Sequence, residues 1–78
     1  MQKWEYKFVE GISHFDSWYP AFEDGEEITY WKTGEDVTAF SNRLGDQGWE
    51  MVGSNYSAVG TASEYREFFR LVFKRPKS

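Results

Sequence analysis

Cysteine is absent from the 78 residues, proline occurs twice and histidine once. Without thiols the chain has no disulfide, no thiolate metal site and no cysteine nucleophile. A single histidine leaves a transition metal with too few donors, so no metal and no cofactor is expected. No apolar run approaches the roughly 18–20 residues of a membrane span, and no basic-then-apolar leader precedes the first strand-like segment. The expected compartment is therefore the cytoplasm. Basic residues are outnumbered, 9 against 13 acidic, for a formal charge of -4. That balance disfavours generic binding along the phosphates of a long nucleic acid. There is no repeat and no low-complexity tract, and the composition is not that of a disordered chain.

Aromatic side chains are what the sequence has in excess: seven Phe, five Tyr and four Trp. One small domain spanning 1–78 is expected, and a domain this short buries only about 60–65% of its unfolded surface. Each buried aromatic removes roughly 150–250 Å² from water, so a few are enough to build the core. The surplus is expected on the surface or in an interface.

The segment Trp4-Glu5-Tyr6-Lys7-Phe8-Val9-Glu10 alternates aromatic and charged residues with period two. It predicts a half-buried strand with Trp4, Tyr6 and Phe8 inward, Glu5 and Lys7 outward, and Gly11 as its end. Asp24-Gly25 is a hairpin dipeptide between two arms rich in strand formers, Trp18 to Phe22 and Ile28 to Trp31. Pro20 makes the first arm an edge. Thr33-Gly34-Glu35-Asp36 opens a helix with Thr33 as the expected cap. Val37, Phe40, Ser41 and Leu44 share one helical face, and Gly45 or Gly48 stops the helix. Trp49 to Tyr56 predicts a strand whose register Gly53 obscures. Val59 to Ser63 is a flexible connection, and Glu64 to Arg75 a long final strand. There Phe69, Leu71 and Phe73 take one face and Arg66, Phe68, Arg70, Val72 and Lys74 the other. The expected fold is α+β: a small antiparallel-rich sheet with one helix on one face and an added aromatic hairpin.

Three blocks carry a family resemblance. Trp4-Glu5-Tyr6-Lys7, Leu44-Gly45-Asp46-Gln47-Gly48-Trp49-Glu50-Met51-Val52 and Leu71-Val72-Phe73-Lys74-Arg75-Pro76 resemble the opening, the middle and the final strand of the DUF4177 family of small bacterial and phage proteins. The likeness covers most of the chain outside about residues 12–32 and 57–63. That family is a domain of unknown function, so the resemblance implies a fold and a bacterial or phage setting and supplies no activity. The aromatic-rich segment 12–32 departs from the short members, and a function peculiar to this chain is expected there. The Gly48-Trp49-Glu50 motif has a structural reading of its own: glycine reverses the chain out of the helix, Trp49 covers the end of a thin core, and Glu50 starts the strand.

Each candidate for chemistry has a plainer reading beside it. His14 with Asp16 is the one pair resembling a general base and its orienting carboxylate, and it would serve a small hydrolase. No nucleophile motif accompanies it, and a packed or solvated histidine is the plainer reading. Glu23, Asp24, Glu26 and Glu27 lack the spacing of a calcium loop and read as a solubilising hairpin tip. Arg66, Arg70 and Lys74, with Phe68 between them and Arg43 nearby, could hold a phosphate while stacking a base. Cross-strand pairing with Glu5, Glu10 or Glu50 is the alternative. Within the aromatic insertion, to which Phe15 also belongs, the residues Trp18, Tyr19, Phe22, Tyr30 and Trp31 form the expected interface, since Tyr and Trp are enriched in binding hot spots; completion of a local core is the plainer reading. The sequence thus predicts a non-enzymatic, homo-oligomeric binding module, a dimer or higher, for a small nucleotide-like ligand. A phage-encoded inhibitor of a host defence would suit that size. The alternative is a module that docks on a host protein through the hairpin, without ligand.

Overall fold

In a computed structural model, described for residues 1–15, 17–60 and 66–77, five antiparallel strands carry one helix on one face. The strands are β1 (Trp4–His14), β2 (Ser17–Glu23), β3 (Glu26–Glu27), β4 (Glu50–Val59) and β5 (Arg66–Pro76), and the helix is α1 (Val37–Asp46). A single 3-10 turn, Trp31–Thr33, links β3 to the helix. The sheet order is β3-β2-β1-β5-β4, so the last strand is inserted between the first and the fourth. This is the α+β architecture the sequence predicts. Segment 12–32 joins the same sheet through the end of β1, β2 and β3.

The core is a thin layer between α1 and the sheet: Phe40 and Leu44 from the helix, Val9 from β1, and Phe69, Leu71 and Phe73 from β5. Trp18, Ile28, Val37 and Trp49 pack around its rim. In β5 the alternation is as expected, with Phe69, Leu71 and Phe73 buried and Arg70 exposed. In β1 it is the reverse of the expectation. Val9 is 1% exposed in the core, whereas Tyr6 and Phe8 are 53% and 57% exposed. Period two then puts Glu5 and Lys7 on the helix side and Trp4, Tyr6 and Phe8 on the far side. Lys7 is tolerated there because its ammonium reaches the Glu23 carboxylate at 2.6 Å and lies 5.1 Å from the centre of the Trp49 ring. Its aliphatic stem covers apolar surface while the charge stays paired at the rim.

Gly11 does not end β1, which runs on to His14. Here the β5 partner, Phe69, lays its ring across the glycine, and a Cβ at that position would fall within the ring. Opposite, β2 accommodates one extra residue: Glu10 pairs with Phe22 and Gly11 with Pro20, leaving Ala21 as the bulge. Asp24 and Gly25 turn the chain at positive φ, but the second arm is only Glu26–Glu27. Ile28 to Trp31 leave the sheet instead of extending it, and Ile28 turns into the core rim.

Asp36, not Thr33, caps α1: its carboxylate accepts the Ala39 amide at 2.9 Å. The Thr33 hydroxyl instead donates to the Tyr30 carbonyl. At the other end Gly48, at φ 89°, forms a Schellman cap. The Trp49 amide donates to the Leu44 carbonyl and the Gly48 amide to the Gly45 carbonyl, both at 3.0 Å. Gly45 lies inside the helix. The Gly48-Trp49-Glu50 motif thus reverses the chain, covers the rim and starts the strand, as read. β4 reaches Val59, beyond the expected Tyr56, and Val52 is its bulged residue between Met51, opposite Phe73, and Gly53, opposite Val72. Of the expected connection, Val59 belongs to β4 and residues 61–63 lie outside the described residues.

Candidate functional site: the open face of the sheet

With α1 on one side, the other side of the sheet carries no layer among the described residues. The cross-strand register lines up its side chains. Tyr6 faces Lys74, Phe8 faces Val72, Glu10 faces Arg70 and Ile12 faces Phe68. From β2, Phe22 stands beside Glu10 and Tyr19 beside Ile12; from β4, Asn55 stands beside Arg70. The result is an aromatic and aliphatic surface crossed by a few charges. At its near end the Lys74 ammonium sits 4.2 Å from the centre of the Trp4 ring, a cation–π contact. In the middle Arg70 approaches Glu10 at 3.7 Å.

Two depressions mark this face. One, of about 560 Å³, lies over Val72 between Phe8, Glu10, Asn55 and Arg70, where Gly53 contributes no side chain. The other, of about 830 Å³, lies at the far end between Ile12, His14, Phe22, Trp31, Lys32, Phe68 and Arg70. Arg70 stands between them and lines both. His14 forms the end wall, its ring centre 4.4 Å from that of Phe15 and 6.1 Å from that of Trp31. It is packed among aromatics, and Asp16, the carboxylate expected to orient it, lies outside the described residues.

The expected anion-binding set is thus divided. Phe68, Arg70 and Lys74 share the open face. Arg66 begins β5, and its side chain lies outside the described residues. Arg43 belongs to the opposite layer, on α1, where it pairs with Glu35 at 2.9 Å and covers the Phe40 ring. Sequence distance gave no hint of this separation, because the helix crosses the face that Arg70 turns away from. The expected interface set divides as well. Trp18 is on the helix side, edge-to-face with Phe69 and Tyr56. Tyr19 and Phe22 are on the open side, and Trp31 flanks Tyr19 at 6.5 Å. Tyr30 is exposed at the outer end, in the left-handed region. Sequence reading missed Tyr6 and Phe8 as surface residues; the signal available was Val9, whose apolar side chain has the opposite parity.

The acidic turn is partly neutralised. Lys7 reaches Asp24 at 3.6 Å as well as Glu23, and the Asp24 carboxylate also accepts the Phe8 amide at 2.9 Å. Among the described residues no three His, Asp or Glu side chains converge as a metal site, and no helix is long and apolar enough to cross a membrane. No family model, no curated protein and no solved structure matches this chain.

Proposed function

We propose that this chain is a non-enzymatic interaction module that self-associates through the open face of its sheet. One observation carries the reading: Tyr6, Phe8, Ile12, Val72, Phe68 and Phe22 form one apolar surface with no layer over it among the described residues. A sheet with one apolar face uncovered gains from a second layer. β1, β5, β4 and β2 together offer a footprint of about 600 Å², at about 4.8 Å per strand and 3.3 Å per residue, which approaches the ~800 Å² per partner of a standard interface. A second copy is the favoured occupant because the face carries both signs, Glu10 and Glu50 against Arg70 and Lys74. A two-fold arrangement can therefore oppose unlike charges. The DUF4177 resemblance is compatible with such a role and adds no chemistry to it.

The far depression favours a second reading, a small aromatic anion of the nucleotide type. Phe22, Phe68 and Trp31 supply stacking surfaces there, and Lys32 and Arg70 supply cations. Native mass spectrometry and sedimentation test both readings on one sample. The wild-type chain is expected as a multimer whose mass falls, with the fold intact, in Tyr6→Glu combined with Phe8→Glu; an unchanged mass would refute face-to-face association. A released small-molecule mass that disappears in Arg70→Ala would establish the ligand.

A further inference from the structure

The two edges of the sheet are unlike. One ends in β3, two residues long and both glutamates, with the 3-10 turn packed beside β2 beyond it. The other is β4, ten residues long, in which Glu50 is the only charge and proline is absent. Natural edge strands are protected by shortness, charge, proline or a bulge, because their free amides and carbonyls template further pairing. β3 has two of these protections. β4 has only the bulge at Val52, placed at one end, and from Gly53 to Val59 its pairing with β5 is regular.

We infer that the outer edge of β4, which pairs with no strand among the described residues, pairs antiparallel with β4 of a second copy, about a two-fold axis at Tyr56. The register follows from the pleat. Residues opposite one another in an antiparallel pair share a face, so a two-fold axis perpendicular to the sheet must pass through a residue. Placed at Tyr56, it keeps the whole run from Gly53 to Val59 in register; at Asn55 or Ser57 the overlap shortens against the bulge or the strand end. Asn55 then faces Ser57 of the second copy, Ser54 faces Ala58, and Tyr56 faces its own counterpart. No like charges meet along this run, although the chain is net negative. The acidic β3 edge would repel its own copy. The Tyr56 ring, 54% exposed and set edge-to-face on Trp18, gains a neighbour. This pairing is independent of the open face and leaves that face free on both copies, in one continuous ten-stranded sheet.

The cysteine-free chain allows a direct test by single cysteine substitution along β4. Cα atoms opposite each other in an antiparallel pair lie about 4.5–5.5 Å apart, within disulfide range. Tyr56→Cys is expected to cross-link to a dimer on mild oxidation. Ser54→Cys and Ala58→Cys are not, because each would sit about four residues along from its own counterpart. As a second arm, Asn55→Glu with Ser57→Glu opposes like charges across the axis and should weaken the dimer about tenfold or more. The same positions changed to lysine should do likewise, and mixing the two variants should restore a heterodimer. A chain that is monomeric at millimolar concentration overturns the inference. So does cross-linking strongest at another position, or association lost in Phe8→Glu and untouched by the β4 charges; that last result would leave the face reading standing.

Discussion

The two faces of this sheet are made by the same strands and are about equally rich in large apolar side chains, yet they have different fates. On the helix side Val9, Phe69, Leu71 and Phe73 are sealed by Phe40 and Leu44. On the open side Tyr6, Phe8 and Val72 have the same ladder beneath them and, among the described residues, no layer above. A ten-residue helix is about 15 Å long, whereas an eleven-residue strand extends about 36 Å. One short helix can seal only part of one face, so the chain retains more apolar sheet than it can cover. The burden of stability falls on the sealed patch, and the open face is the one proposed for association.

Substitutions can break this contrast in order of effect. Phe40→Ala empties the centre of the sealed layer and should cost about 3–5 kcal/mol, which in so small a domain approaches complete unfolding; chemical denaturation followed by circular dichroism measures it. Gly11→Ala comes next, at about 1–3 kcal/mol, because the new methyl must displace the Phe69 ring. Combining it with Phe69→Leu should recover part of the loss, and simple additivity of the two would count against ring-over-glycine packing. Smallest is Phe8→Ser on the open face, expected within about 0.5 kcal/mol for the isolated monomer. A cost comparable with that of Phe40→Ala would mean the open face is covered within one copy.

Much of the fold was legible. The helix was announced by Val37, Phe40 and Leu44, its exit by Gly48, and the buried parity of β5 by Phe69, Leu71 and Phe73. The candidate site was legible only in pieces: Phe68, Arg70 and Lys74 share one strand face as read, but Lys74 lies at the other end by Trp4, and Arg43 was assigned to them across the thickness of the sheet. The interface residues were named as one hairpin, but the bulge at Ala21 and the pleat send Trp18 to one face and Tyr19 and Phe22 to the other. Short-range patterning does not register a bulge, because one extra residue exchanges the faces without altering composition.

The sequence by itself determined the periods: two for the strands, near 3.6 for the helix, with turns at Asp24-Gly25 and Gly48. Those follow from local sterics and from hydrogen bonds closed within a few residues. It did not determine which side of β1 would meet the helix. Trp4, Tyr6 and Phe8 are the more apolar set, yet Val9 and the bare backbone of Gly11 are what fit beneath Phe69 and beside Leu44. That choice is made by the shape of the layer above and by the pairing of β5 with β1, whose partners are some sixty residues apart. Only the tertiary structure brings them together, and in doing so it turns three aromatic residues that read as core into the surface of the molecule.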